Sequence, residues 1–211
     1  MKQYYETNKL EVGIDEAGRG SLLGPVCVAA VIMNDINDNP PPYEIKDSKK
    51  CSSKKRAELR KYIEKNAISY NVQFISETII DKENILQATI IGMHKCLDDI
   101  TSVINIDRIL VDGSYFPIYT NKSNFESISH LCIPGGDNKY INIAAASILA
   151  KEYRDEYIIN LCKENPILDN YDIINNKGYG TQSHMEALKD IGPTKWHRKS
   201  FKPCSNKKKE K

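Results

Sequence analysis

An uninterrupted apolar run from Val26 to Met33 is the feature that most restricts how this chain can fold. A run of this length, directly after the turn-forming pair Gly24-Pro25, is typical of a buried strand. Just before it, residues 10–15 alternate between apolar side chains and polar or glycine positions, which predicts a shorter strand. Because a buried strand needs other elements to cover it, the run predicts a layered fold.

Helices and strands alternate along the rest of the chain. Strands are predicted around Val72 and Phe74, at 109–111 and at 128–133. The predicted helices begin at Ser52 or Ser53, at Asp81 (with Leu86, Ile90, Met93 and Leu97 at helical spacing), at Ile141 (followed by Ala144-Ala145-Ala146), and at Thr181, with the last one ending at Gly192-Pro193. This order indicates an α/β fold with a helical C-terminal part.

The composition, with 40% hydrophobic and 27% charged residues, is ordinary for one soluble globular domain. No apolar run approaches the ~20 residues of a membrane span, and the first residues lack the apolar stretch of a secretory signal. The six cysteines show no zinc-ligand spacing, and Cys27, Cys96 and Cys132 lie in apolar contexts that predict core positions. We expect a cytoplasmic protein with reduced thiols and no membrane partner.

Basic residues are concentrated in two parts of a chain whose net charge is only +2. The two clusters are Lys46, Lys49, Lys50, Lys54, Lys55, Arg56, Arg60 and Lys61, and then Lys195, His197, Arg198, Lys199, Lys202, Lys207, Lys208 and Lys209. Such local clusters are typical of a surface that contacts phosphates. The alternative is a solvated helix face plus a disordered basic tail, and we favour this alternative for the last lysines.

Four carboxylates stand at predicted strand ends and turns. Asp15 and Glu16 follow the first strand, Asp112 ends the strand at 109–111, and Asp137 precedes the alanine-rich helix. Open α/β sheets build their sites at the carboxyl ends of strands, and an all-oxygen site suits Mg²⁺ or Mn²⁺ and not zinc. Acidic residues are also common in turns, and Asp137 could simply cap its helix. Position alone leaves both interpretations open.

A series of motifs covers nearly the whole chain. The series consists of Val12-Gly13-Ile14-Asp15-Glu16-Ala17-Gly18-Arg19-Gly20 with Gly24-Pro25-Val26; Asp47-Ser48-Lys49-Lys50; Ile85-Leu86-Gln87-Ala88-Thr89; Leu110-Val111-Asp112-Gly113; Gly136-Asp137 with Ile143-Ala144-Ala145-Ala146-Ser147-Ile148-Leu149-Ala150-Lys151 and Arg154-Asp155; Lys177-Gly178-Tyr179-Gly180-Thr181 with His184; and Gly192-Pro193 with His197-Arg198-Lys199-Ser200-Phe201. In this order the motifs resemble those of the ribonuclease HII family. One such motif alone would be weak evidence, whereas an ordered series is highly specific.

The resemblance implies a ribonuclease H-like fold, with a central five-stranded mixed sheet flanked by helices. It implies a catalytic domain over 8–162, a helical C-terminal segment packed on it over 163–203, and a basic disordered tail over 204–211. The implied activity is endonucleolytic hydrolysis of the phosphodiester at ribonucleotides, in RNA–DNA hybrids and at single ribonucleotides embedded in duplex DNA. The expected product ends are 3′-hydroxyl and 5′-phosphate.

The family's acidic quartet corresponds to four residues here: Asp15, Glu16, Asp112 and Asp137. By resemblance these hold two divalent ions, Mg²⁺ or Mn²⁺. One ion activates the attacking water, and the other stabilises the leaving 3′-oxygen. The implied partner is nucleic acid, and we expect the protein to act as a monomer.

The resemblance also implies how the substrate is bound. The turn Gly18-Arg19-Gly20 offers backbone groups to the 2′-hydroxyl, the group that distinguishes RNA from DNA. Tyr179 packs its ring on the neighbouring sugar, although it could instead be a half-buried packing residue. The phosphates are expected to contact three lysines, namely Lys49, Lys50 and Lys151.

Three further side chains have alternative roles. Lys151 could pair with Asp155 one helical turn on, and this interpretation and the phosphate contact stay equally open. His184 is expected to be structural. The pair His197-Arg198 could reach the nucleic acid, but we favour docking of the final segment on the core.

Two rival functions are considered. Ribonuclease HIII, which acts on RNA tracts, is expected to have lysine at position 19, to lack Tyr179 and to carry an extra N-terminal domain. A non-catalytic binder of RNA–DNA hybrids is a rival of another class. Four converging carboxylates argue against a mere binder, because their mutual repulsion costs stability unless a cation is present.

Overall fold

The fold is built on one mixed β-sheet. The structure, a computed structural model, describes residues 1–205. Its strands are β1 Glu11–Ala17, β2 Val26–Met33, β3 Ala67–Ile75, β4 Arg108–Asp112, β5 Tyr119–Thr120 and β6 Ser127–Ile133, in the order β3-β2-β1-β4-β6-β5. Strands β1–β4 and β4–β6 pair in parallel, and the other pairs are antiparallel. The five longer strands form the expected mixed sheet, to which the two-residue β5 adds a short edge.

Helices cover both faces of this sheet. Their bounds are α1 Ser53–Asn66, α2 Glu77–Glu83, α3 Ile85–Thr101, α4 Ile141–Glu164, α5 Ile173–Asn176 and α6 Gln182–Ile191. The side chains of Cys27, Ala29 and Val31 on β2 pack with α1 and α4. The intervening Val28 and Ala30 pack with α3 on the other face. The apolar run of β2 is therefore buried on both faces, as its composition predicted.

Helix α4 lies unusually close to β1 because the residues between them are small. A Cβ atom placed on Gly13 would lie 2.2 Å from the backbone carbonyl carbon of Asn142. The helix contributes Ala144, Ala145 and Ala146 to the same interface, all fully buried. The close approach brings the first turns of α4 next to the end of β1, where Asp15 stands.

The start of α3 differs from the prediction. Asp81 does not cap this helix, because it lies inside the preceding short helix α2. The N-cap residue is Asn84, and its positive φ of 71° interrupts the helical backbone between α2 and α3. Its side chain accepts hydrogen bonds from the backbone N–H groups of Leu86 and Gln87. The Asp81 carboxylate instead accepts hydrogen bonds from Lys199 N at 2.9 Å and Ser200 N at 2.8 Å. It thereby ties the end of the chain to the core.

The C-terminal segment packs as helices and turns on α4. Its apolar cluster includes Leu168, Leu188 and also Cys204, which is buried although we placed it in the disordered tail. The packed part of the chain therefore extends past 203 to Cys204. The expectation of a disordered tail over 206–211 lies outside the described residues.

The thiols follow the composition-based prediction. None of the six cysteines forms a disulfide, and Cys27 and Cys96 are buried in the core. Cys132 is only half-buried at the edge of that core. Within residues 1–205, no helix combines the length and the apolarity needed to cross a membrane.

Two buried histidines connect the final segment to α6. The Thr194 backbone N–H donates to His197 Nδ1 at 2.9 Å, so the proton of a neutral His197 sits on Nε2. That Nε2 lies 2.9 Å from His184 Nε2, and His184 Nδ1 lies 3.0 Å from the Tyr179 carbonyl oxygen. A carbonyl only accepts, so His184 donates through Nδ1 and accepts through Nε2. The chain of bonds is complete with both rings neutral, which confirms the structural role expected for His184 and the docking role favoured for His197.

This histidine pair predicts a loss of stability in mild acid. Burial lowers the pKa of His184, and burial and the neighbouring ring lower the pKa of His197 to about 4. The unfolded chain binds these protons near the ordinary histidine pKa of about 6.5. The stabilising contribution of the two neutral histidines is therefore fully present above about pH 6.5. The free energy of unfolding falls as the pH drops towards 4, by on the order of 2–3 kcal/mol for His197.

The measurement is the melting temperature from pH 7 to pH 4.5 for the wild type and a His197→Asn variant. The variant should melt lower at pH 7, because the bond to His184 is altered, and its melting temperature should fall less between pH 6.5 and 4.5. Identical pH slopes for the two proteins would show that His197 does not titrate as a buried neutral ring.

Candidate active site

The sheet topology brings three aspartates together. Strands β1 and β4 are parallel neighbours in which Ile14 pairs with Val111, so Asp15 and Asp112 leave the same end of the sheet. Asp137 arrives from the short 3₁₀ turn Gly136–Asn138 that follows β6. Carboxylate oxygens of these three aspartates all lie within 4.8 Å of one another. Such a group of converging oxygens is the kind of site that Mg²⁺ and Mn²⁺ prefer.

Glu16, the fourth predicted carboxylate, is not part of this group of three. It is the next residue on β1, so its side chain leaves the strand on the other side. Its carboxylate pairs with the Arg19 guanidinium at 3.2 Å and still lines the same cleft as Asp15 and Asp112. The structure thus places all the predicted acids at one end of the sheet, with three of them converging.

Burial and mutual repulsion dominate the electrostatics of the acids. Burial, followed by the charges of Glu16 and Asp112, raises the pKa of Asp15 well above its ordinary value. Burial raises the pKa of Glu16, and burial together with the charges of Asp112 and Asp47 raises that of Asp137. Ionised carboxylates crowded in this way are unfavourable unless a cation compensates them. The donor set, all oxygen and strongly anionic, fits a divalent metal ion.

Hydrogen bonds hold the aspartates in place. Asp112 accepts a bond from the Gly136 backbone N–H at 2.7 Å, and Asp15 accepts one from the Glu16 backbone N–H at 2.6 Å. The nearby Ser147 hydroxyl acts against burial and lowers the pKa of Asp15. The Ser147 hydroxyl lies 3.0 Å from that of Ser48. We did not single out these two serines from the sequence. The sequence did contain a sign that Ser147 has a special role, because it is the only polar residue in the buried run from Ile143 to Ala150.

A cleft of about 550 Å³ opens above the acids. Nearly all of the predicted substrate-binding residues line it: Gly18, Arg19, Gly20, Lys49, Lys151 and Tyr179. Lys50 does not, since its ammonium group pairs with the Asn138 side chain outside the cleft. Lys151 lines the cleft and also pairs with Asp155 at 2.7 Å, so the two interpretations left open for it are compatible.

The turn and the tyrosine frame the mouth of the cleft. Gly18 has a φ of 89°, a conformation that favours glycine. A Cβ placed on Gly20 would meet no atom within 4 Å, so the backbone there is open to an approaching ligand. The Tyr179 side chain is 37% exposed, and its ring lies over Lys151 and Arg154, with the Arg154 Cζ 5.4 Å from the ring centroid.

Comparison with known proteins identifies the family. The model of the ribonuclease HII family matches residues 12–204. The chain belongs to the ribonuclease HII family. A ribonuclease HII from Parabacteroides distasonis is 43% identical to it over 198 residues, covering 94% of this chain and 92% of that one.

Solved structures agree with this assignment. The ribonuclease HII of Archaeoglobus fulgidus, solved in complex with PCNA, is 26% identical with a TM-score of 0.65, covering 85% of this chain and 87% of that one. The ribonuclease H2 of Pyrococcus horikoshii has a TM-score of 0.68 at 20% identity, covering 92% and 94% of the two chains. At such identity the second comparison shows the fold alone, and it confirms the ribonuclease H-like fold.

Family membership settles the class of activity. Members of the ribonuclease HII family are endoribonucleases, so this chain is a phosphodiester hydrolase of the ribonuclease H type that acts on nucleic acid with divalent metal ions. The family model and the curated relatives are all ribonuclease HII, which favours this family over ribonuclease HIII and an enzyme over a non-catalytic binder.

Proposed function

We propose that this enzyme hydrolyses the phosphodiester at ribonucleotides, both in RNA–DNA hybrids and at single ribonucleotides embedded in duplex DNA, leaving 3′-hydroxyl and 5′-phosphate ends. One observation carries the proposal. Asp15 and Asp112, whose carboxylates converge with that of Asp137, share a single cleft with the glycine turn and Tyr179. Groups for metal-assisted hydrolysis therefore lie beside groups that can recognise a sugar.

The proposed metal ligands are the quartet Asp15, Glu16, Asp112 and Asp137, holding two Mg²⁺ or Mn²⁺ ions. When bound, the ions supply an activated water and neutralise charge on the phosphate and the leaving 3′-oxygen. The protein's own contribution is to orient the ligands. The backbone N–H groups of Glu16 and Gly136 orient Asp15 and Asp112, and the ion pair with Arg19 restrains Glu16.

Recognition of the ribose is proposed to rest on Gly18-Arg19-Gly20 and Tyr179. The open backbone at Gly20 allows a 2′-hydroxyl to come within hydrogen-bonding distance of the main chain, where no Cβ intervenes. The half-exposed Tyr179 offers a flat ring to a sugar and a hydroxyl to the same point. A site built to bond a hydroxyl discriminates strongly against a substrate that lacks it.

The phosphates are proposed to contact Lys49 and Lys151, which line the cleft, and to contact Lys50 outside it, beside Asn138. Contacts of this kind position the strand but carry no sequence information. We also propose that the enzyme acts as a monomer.

The test is a cleavage assay on three duplexes of the same sequence: all DNA, DNA with one ribonucleotide, and an RNA–DNA hybrid. We expect cleavage of the second and third duplexes in Mg²⁺ or Mn²⁺, with no product from the first or in the presence of EDTA. Ligation of the products should confirm 3′-hydroxyl and 5′-phosphate ends. Cleavage of the hybrid alone would overturn the proposal for single ribonucleotides, and cyclic phosphate ends would overturn direct attack by water.

A further inference from the structure

Arg154 is a completely buried cation on α4, with 0% of its surface exposed. No carboxylate within residues 1–205 forms an ion pair with it, and its hydrogen bonds go to neutral oxygens. Burying a charge without a counter-charge is costly unless hydrogen bonds satisfy the group. The protein therefore keeps an energetically costly group at this position, in contact with Gly18 and Tyr179, which line the candidate cleft.

The hydrogen bonds of Arg154 join two separate segments. On one side, Nη2 donates to the Ser21 hydroxyl at 2.7 Å and to the Leu23 carbonyl at 3.1 Å, and Nε donates to the Pro25 carbonyl at 3.1 Å. On the other side, Nη1 donates to the Lys177 carbonyl at 3.0 Å. The first segment continues the glycine turn, and the second leads into Tyr179, so one guanidinium connects the two elements proposed to read the ribose.

Packing around the guanidinium leaves little room for movement. A Cβ placed on Gly18 would lie 1.9 Å from Arg154 Nε, so the turn rests directly against the side chain. A Cβ on Gly178 would lie 2.7 Å from the Ser21 hydroxyl oxygen, so the tyrosine loop rests on the turn. The Tyr179 ring lies over the guanidinium, 5.4 Å from Cζ, within the range of a cation–π contact.

We propose that Arg154 is a positioning residue that sets the separation between the glycine turn and the Tyr179 ring, and thereby the preference for a single embedded ribonucleotide. The inference rests on the proposed role of Tyr179. A lone ribonucleotide offers one 2′-hydroxyl, so both elements must meet the same sugar, and small misplacements at such sites are costly. A hybrid offers several neighbouring 2′-hydroxyls, so its cleavage depends less on the exact position of the Tyr179 ring.

Two substitutions test the inference. Arg154→Lys keeps the charge but replaces the planar fork by a point donor, which cannot bond both segments. Ser21→Ala removes one acceptor and leaves the arginine in place. The measurement is kcat/KM on the single-ribonucleotide duplex and on the hybrid. We expect Arg154→Lys to lose roughly 10-fold more on the first substrate than on the second, and Ser21→Ala to show a smaller loss of the same sign. Ser21→Ala decides the question if Arg154→Lys does not fold.

Leu168→Ala provides a matched control, since it destabilises the same C-terminal core from a fully buried site that does not line the cleft. It should lower the melting temperature and leave the ratio of the two kcat/KM values unchanged. In a Tyr179→Ala background, Arg154→Lys should no longer change that ratio, because the ring it positions is absent.

The outcomes separate the two proposals. Equal losses on both substrates for Arg154→Lys and Ser21→Ala would make Arg154 a purely structural residue and overturn the inference alone, provided that Tyr179→Ala changes the ratio. If Tyr179→Ala leaves the ratio unchanged, the proposed role of Tyr179 fails and the inference fails with it.

Discussion

Replacement of Asp15 or Asp112 by asparagine is expected to abolish cleavage while binding of the nucleic acid persists. The amide removes a negative charge and an oxygen ligand from the group of three converging aspartates. Changes to the outer partners of metal ligands already cost about 10–100-fold, so loss of a ligand should exceed about 100-fold. Binding should survive because phosphate contacts come from other residues of the cleft.

The measurement pairs single-turnover cleavage in Mg²⁺ with fluorescence anisotropy of a labelled hybrid. Asp190→Asn, the same chemical change at an exposed position of α6, is the control and should keep wild-type values for both. In EDTA the Asp15→Asn variant should melt at the wild-type temperature or higher, because it relieves repulsion among buried carboxylates. Mg²⁺-dependent turnover within 10-fold of wild type would remove Asp15 or Asp112 from the metal site.

Truncation of Tyr179 to alanine is expected to reduce activity on a single embedded ribonucleotide far more than on a long RNA–DNA hybrid. The ring lies beside the glycine turn at the mouth of the cleft, where a single sugar would depend on both. Tyr179→Phe keeps the ring and loses one hydrogen bond, which typically costs about 0.5–1.5 kcal/mol, or roughly 2–13-fold in rate. The phenylalanine variant should therefore fall between wild type and alanine.

The comparison requires kcat/KM on both substrates for the three proteins, with folding checked by thermal melting. Tyr70 supplies a matched control, because it has the same 37% exposure as Tyr179 but lies on β3 and does not line the cleft. Tyr70→Ala should leave the ratio of the two substrates unchanged. A parallel loss on both substrates for Tyr179→Ala would assign the residue to general binding, and no loss on either would assign it to packing.

Much of the secondary structure could be predicted, because burial on a regular backbone leaves a periodic pattern. The run from Val26 to Met33 is a strand with the predicted bounds, and Thr181 caps α6 as expected. The prediction failed at Asp81, because an acidic residue before a helix looks like a cap whether or not a break follows it. The interruption between α2 and α3 is the positive φ of Asn84. Asparagine tolerates this conformation, but its presence in a sequence does not predict it.

The sequence by itself determined the family and the end of the sheet at which the chemistry is placed. Apolar patterns that lead into Asp15 and Asp112 placed both acids at the carboxyl ends of strands, where open α/β sheets build their sites. The parallel pairing of β1 with β4, which brings the two acids together, belongs to the tertiary structure. The ordered motifs determined the family, because each of them is short and can be read from the local sequence.

Only the tertiary structure decided which side chains support that chemistry. Ser48 and Ser147 are 99 residues apart, and Arg154 bonds Ser21 across 133 residues. The tertiary structure also placed Lys50 outside the cleft and Cys204 in the core. Contacts between distant segments depend on how whole layers pack. The local sequence around one residue of such a contact does not predict the other residue. The position of a buried cation beneath the two elements proposed to read the ribose is therefore a property of the folded chain.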